Sequence, residues 1–202
     1  TAPFVFLGAA LQKVNFEGLE FNRLWVYREI WGVEKNPADW AALILGSINL
    51  DQYAKVMGDP SMFIKQNDGS ESIADQFKSA GLTIKPANNN RVNGWVSVHK
   101  WLSIAPDGLP YLMVTDNCRR LIETLPEMVH DENNVEDVDT LGEDHWADAL
   151  RYLCMHVKFV DAGSVRRPSA KKKKPAFRDF IDLSEFEQTQ KEKIKRPALV
   201  QK

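Results

Sequence analysis

The chain opens with two long runs rich in β-branched and aromatic residues, Phe4 to Gln12 and Leu19 to Trp31. They are joined by Val14-Asn15-Phe16-Glu17-Gly18, whose Asn and Gly suit a turn. This pattern reads as an antiparallel hairpin, and beyond it helix and strand patterns alternate. Asn36 caps a predicted helix, with Pro37 at the first position and Trp40, Ile44, Leu45 and Ile48 at helical spacing. Tyr53 to Gly58 reads as a short inner strand stopped by Pro60, which leaves Asp59 at its C-terminal tip. Ser70 or Ser72 caps a second helix ending at Gly81, and Leu82 to Ile84 reads as another short strand. The spacing then predicts a helix over Val92 to Ile104, a strand over Tyr111 to Val114 and a helix over Asn117 to Met128. A last amphipathic helix runs from Asp144 to Val157, with Trp146, Leu150, Leu153 and Val157 facing inward. A hairpin succeeded by alternating strands and helices implies an α/β fold, a mixed β-sheet flanked by helices.

Composition narrows the class. With 202 residues, 44% of them hydrophobic and 27% charged, the chain has the make-up of a soluble globular protein and the length of one large domain. No run approaches the roughly 18 apolar residues of a membrane span, and no charged segment leads into an apolar one with a cleavage site, so neither membrane insertion nor secretion is expected. Cys118 and Cys154 are too few for a disulfide scaffold or a four-cysteine zinc site, and a reducing cytoplasm is the default. Because the chain begins at Thr1 and runs at once into a strand pattern, it reads as a fragment of something longer.

The formal charge of -2 conceals an uneven distribution. Residues 161–202 hold 12 Lys or Arg against 6 Asp or Glu, while residues 1–160 hold 14 against 22. The division expected is a folded domain over 1–160 and a flexible basic tail over 161–202, with Phe177, Phe180, Ile181 and Phe186 as its apolar positions. Between Asp131 and Asp148 there are eight carboxylates and no Lys or Arg, which suits either a solvated loop or a metal-binding rim.

Several chemistries are excluded by their missing motifs. None of the 11 glycines precedes a lysine, so no phosphate loop is present, and neither G-x-G-x-x-G nor G-x-S-x-G occurs. What remains is a set of carboxylates: Asp59 at a strand tip, and Asp144 and Asp148 with His145 on one face of the first turn of the last helix. Hard oxygen ligands gathered from distant segments suit Mg²⁺ or Mn²⁺, and two such ions suit phosphodiester hydrolysis. Each residue also has a plainer reading. Asp144 is a good N-cap, Asp59-Pro60 a common turn opening, and His145 a surface or capping residue, its functional reading being a catalytic one as an outer metal ligand or proton shuttle.

Four blocks in order carry a resemblance. Gly58-Asp59-Pro60-Ser61, Ala87-Asn88-Asn89-Asn90-Arg91-Val92-Asn93-Gly94-Trp95, Asp116-Asn117-Cys118-Arg119-Arg120-Leu121-Ile122, and Val138-Asp139-Thr140 with Glu143-Asp144-His145-Trp146-Ala147-Asp148-Ala149-Leu150-Arg151-Tyr152 resemble the nuclease domain of tailed-phage terminase large subunits. The resemblance covers about residues 1–159. It implies a ribonuclease H-like fold and a metal-dependent endonuclease that cuts concatemeric double-stranded DNA during genome packaging. Asp59 then matches the aspartate of the inner strand, Asp148 and His145 match the D-H-x-x-D-A motif, and Asp144 matches the acid beside it, with a supporting role at the metal. In that family a further aspartate lies just ahead of a segment like Thr1-Ala2-Pro3-Phe4, so one ligand of the Mg²⁺ or Mn²⁺ pair is expected upstream of Thr1.

The same resemblance implies portal protein and a small terminase subunit as partners and the host cytoplasm as location. ATP would enter only through an N-terminal ATPase domain that this sequence does not contain. Lys85, Arg91 and Lys100 are candidate phosphate contacts, whereas Arg151 is expected to pair with Asp148 on its own helix. The alternative function is a DNA- or portal-binding module of the packaging motor with an idle nuclease site. Another ribonuclease H-like enzyme, a resolvase or transposase, would account for the acids but not for the Asn-Asn-Asn-Arg and Asp-Asn-Cys blocks.

Overall fold

The computed structural model describes residues 3–48, 55–65, 69–128 and 144–162. Tyr53 and Ala54 of the expected inner strand, residues 131–143 of the acidic run and the tail from residue 163 onward lie outside the described residues.

β1 (Phe4–Phe16) and β2 (Leu19–Gly32) form the expected hairpin, and both strands are longer than the pattern predicts. The ladder continues to Phe16 opposite Leu19, so the turn contracts to Glu17 and Gly18, at φ 52° and 82°. Positive φ at both central residues gives a turn whose twist matches that of the strands, and glycine adopts it without a steric penalty. Further along, Gly8 lies opposite Arg28 but Ala9 lies opposite Val26, so Tyr27 is an extra residue and β2 carries a bulge.

α1 (Pro37–Ser47) begins as expected, with the Asn36 side chain accepting from the Asp39 amide at 2.9 Å. β3 (Val56–Gly58) ends at Asp59, and Pro60–Phe63 make a 3₁₀ turn that the sequence pattern does not show. Of the two possible caps, Ser72 starts α2 (Ile73–Ser79), and Gly81 follows it at φ 91°. β4 (Ile84–Pro86) sits two residues later than expected, and α3 (Arg91–Leu102) starts one residue earlier. β5 (Leu112–Val114) is followed by α4 (Arg119–Thr124), which is shorter than the predicted helix. Pro126 tightens its continuation into a 3₁₀ turn, Leu125–Glu127. α5 (His145–His156) closes the described chain, and Asp161 and Ala162 still pack on the domain: Tyr111 donates its hydroxyl to Asp161 at 2.8 Å and Ala162 is buried.

The architecture is the mixed α/β one anticipated, divided into two sheets. β5 adds in parallel to β2, giving the order β1-β2-β5, while β3 and β4 pair in parallel with each other. The larger core lies between the first sheet and α3, α4 and α5, with Leu24, Val26, Trp101, Leu121, Trp146 and Leu150 at its centre. A smaller core joins α1 and α2 to β3 and β4 through Trp40, Ile44, Phe77 and Leu82, and takes Phe4, Phe6 and Ile30 from the hairpin. β1 therefore stands between two cores, and the gap between β1 and β3 is where the site lies.

Candidate active site

Asp59 is held by the end of its strand. Pro60 stops β3, and Asp59 caps the following 3₁₀ turn by accepting the Ser61 amide on Oδ1 at 2.7 Å. The Tyr152 hydroxyl, from α5, donates to Oδ2. Burial alone would raise this carboxyl, but the hydrogen bonds from Ser61 and Tyr152 and the nearby Arg151 charge outweigh it and hold the group below its ordinary value. The phenol is pushed the other way, to about 12, by its own burial and then by the Asp59 carboxylate.

Asp148 belongs to the first turn of α5. Asp144 occupies the N-cap position, yet its side chain makes no capping hydrogen bond; only its backbone carbonyl accepts, from the Asp148 amide at 2.8 Å. Its carboxylate is 3.8 Å from His145 Nδ1, and burial followed by the Asp148 charge pushes its protonation upward. On Asp148, Oδ1 accepts from Arg151 Nε at 2.9 Å and from Arg91 Nη1 at 3.4 Å. The expected Arg151 pair is therefore present, and both guanidiniums converge on one oxygen. Arg151 is buried at 1% exposure because α3 passes it at Gly94, where a Cβ would lie 2.5 Å from Arg151 Cγ.

The asparagine blocks have local physical roles. Asn88 Oδ1 accepts the Asn90 amide at 3.0 Å, and Asn90 Oδ1 accepts the Asn93 amide at 2.9 Å, so the Asn-Asn-Asn run forms a capped entry to α3. Arg91 at its first position is thereby aimed at Asp148. In the Asp-Asn-Cys block, Asn117 Nδ2 donates to the Tyr27 carbonyl at 2.8 Å and Cys118 is fully buried, which fastens the β5–α4 turn to β2.

A cleft of about 410 Å³ runs between β1, β3 and α5, and Asp59, His145, Asp148 and Tyr152 all line it. The structure thus brings together residues 59, 145 and 148, with Asp144 beside them on the same helical turn. Lys85 is exposed on β4. Lys100 is in the last turn of α3, roughly 13 Å along the axis from Arg91 at 1.5 Å per residue. Sequence reasoning assigned no role to Tyr152, although its position four residues after Asp148 places both on one helical face.

Among the described residues, no group of three or more His, Cys, Asp or Glu side chains is arranged to hold a metal. The donors present nevertheless suit Mg²⁺ or Mn²⁺. They are carboxylate oxygens, Arg151 and Arg91 both bond Asp148 through Oδ1, and Mg²⁺ is ordinarily held by only one or two protein carboxylates with water and phosphate completing its shell. None of the described helices is long and apolar enough to cross a membrane.

No family model matches the sequence, and no curated protein matches it. Among solved structures, the chain is similar to one described as "Structure of P22 Large terminase nuclease domain", at 14% sequence identity and a TM-score of 0.43, over 78% of this chain and 84% of that one.

Proposed function

We propose that the chain is a metal-dependent DNA endonuclease domain of the terminase large-subunit type, acting on double-stranded DNA during viral genome packaging. One observation carries this reading. Asp59 and Asp148, almost ninety positions apart in sequence, line the same cleft, and Tyr152 links the helix of one to the strand tip of the other. Asp59 and Asp148 would hold Mg²⁺ or Mn²⁺, with Asp144 beside them and with the aspartate that the sequence resemblance expects ahead of Thr1. Bound divalent ions of this kind supply Lewis acidity and lower the pKa of water. The chain's own residues orient these oxygens: Tyr152 and Ser61 fix the Asp59 carboxylate, and Arg151, locked against Gly94, fixes Asp148 Oδ1. Lys85, Arg91 and Lys100 serve as phosphate contacts, and portal protein, small subunit and host cytoplasm follow from the same reading.

Plasmid nicking tests it, with a chain extended upstream to include the expected aspartate. Cleavage appears with Mn²⁺, and Asp148→Ala abolishes it; undiminished cleavage by that variant removes the site. A second reading, a DNA- or portal-binding module, draws on the excess of basic residues over 161–202. It predicts that deleting residues 163–202, and so keeping Asp161 and Ala162 packed on the domain, abolishes binding while leaving the folded domain intact.

A further inference from the structure

The acidic residues occupy one end of the cleft, and its other end is basic. β3 and α5 run in opposite directions along it: Tyr152 meets Asp59 at the C-terminal end of β3, whereas Lys55, just ahead of β3, lines the cleft together with His156 at the C-terminal end of α5. Lys55 and Met57 alternate onto one face of β3, and Met57 is in register with Lys85 of β4, so Lys55 and Lys85 project from the same face of the strand pair. Both ammonium groups act on His156, whose ring is held below its ordinary pKa by burial first and then by Lys55 and Lys85. Among the described residues no carboxylate forms an ion pair with any of the three.

Two independent measures give the distance between the ends. His156 is eight residues beyond Asp148, roughly 12 Å along a helix, and Lys55 is four residues before Asp59, roughly 13 Å along a strand. One strand of a duplex advances about 3.4 Å per nucleotide along its axis, so either span covers three to four nucleotides.

We propose that Lys55 and His156 at the far end of the cleft, with Lys85 projecting from the same face of the strand pair beside them, form a phosphate subsite that holds the DNA backbone three to four nucleotides from the phosphodiester placed at Asp59 and Asp148. The inference rests on the nuclease reading and deepens it by adding a second anchor for the substrate. Anisotropy titration of a fluorescent 20-base-pair duplex with the full chain in EDTA, over a salt series, separates the two. If the unaltered chain does not bind duplex, the nuclease reading fails and the subsite with it. If it binds, Lys55→Gln/Lys85→Gln should weaken binding at least about tenfold and lower the salt slope by about two, one for each lost phosphate contact. An unchanged slope in the double variant overturns the subsite alone. Both lysines are exposed, so the variant folds; far-ultraviolet circular dichroism checks this. The His156 ring resonances, assigned with His156→Gln, provide a second readout. They should move on adding duplex to the unaltered chain and stay fixed in the double variant. No movement, or equal movement with inorganic phosphate alone, overturns the DNA-tracking role.

Discussion

At the scale of single residues, the site depends on which oxygen of each carboxylate is engaged. Asp59 has both oxygens hydrogen-bonded, one by the Ser61 amide and one by Tyr152, while Asp148 has both guanidiniums on Oδ1. Tyr152→Phe removes a single donor and leaves the ring that packs beside Arg151. Because that donor helps to lower the Asp59 carboxyl, the variant should raise it toward its ordinary value, and carbon-detected NMR titration reads the change. Loss of a partner that orients a metal-binding side chain typically weakens affinity roughly 10- to 100-fold, so Mn²⁺ binding measured by calorimetry should fall in that range. Mn²⁺ binding at full strength in this variant would show that Tyr152 positions nothing. The sequence displayed the acids themselves, because capping signals and a proline stop mark strand and helix ends. It did not display Tyr152, since a tyrosine at i+4 on an amphipathic helix looks the same whether it faces core or carboxylate.

At the scale of elements, α3 and α5 approach closely because position 94 lacks a side chain. Gly94→Ala gains up to about 1 kcal/mol of helix propensity, but its methyl would overlap the Arg151 stem, a collision of the overpacking class that costs about 1–3 kcal/mol. Arg151 is fully buried and has little room to yield, so we expect net destabilisation, seen as a lower urea midpoint. An unchanged or raised midpoint would mean that the helices separate freely. The starts of α1 and α2 were legible because Asn36 and Ser72 each cap with a side-chain oxygen, whereas the Asn90 cap went unread in a run of three asparagines and α3 starts one residue earlier than expected. α4 is the counter-example. Cys118 makes no side-chain cap, and Glu29 of β2 instead accepts the Arg120 and Leu121 amides at 3.2 and 2.7 Å. A cap supplied from some ninety residues away has no local signature. The short strands shifted for a related reason: three residues carry too little alternation to fix their ends, and pairing decides them.

At the scale of the whole molecule, acid stability follows from the carboxyls whose protonation folding disfavours. Asp107 is held low chiefly by Arg23, Asp75 by the Ser72 hydroxyl, and Asp59 by hydrogen bonds that outweigh its burial. Each folded pKa is below the unfolded one, so each contribution is complete above the unfolded value of 3.8 and is lost as pH falls through the lowered one. Asp144 is shifted upward and opposes them, gaining as pH falls. His156, held low by burial, loses its contribution as pH falls through its unfolded value of 6.5, and the carboxyls stand three against one below it, so thermal unfolding temperature should decline gently below about pH 6.5 and drop more steeply below about pH 4. A rise in that range would contradict the balance. The α/β class was legible from the hairpin and the alternation after it. The split into two sheets was not, because pairing between β1 and β3 is decided by side chains that fill the gap rather than by either strand's own pattern. The bulge at Tyr27 bears on the same division. Val26 lies in the larger core, and Glu29, which accepts the α4 amides, and Trp31, which packs on Trp146, are on that core's side, while Ile30 reaches the smaller core, a sequence of sides that strict alternation from Val26 forbids. The one inserted residue acts as a phase shifter: upstream and downstream of it the same parity of position addresses opposite interiors. An insertion or deletion within Arg28–Gly32 and one within Phe21–Val26 are therefore different lesions. The first exchanges the cap of α4 for a place in the wrong core, and the second leaves that cap in place while scrambling the ladder with β5.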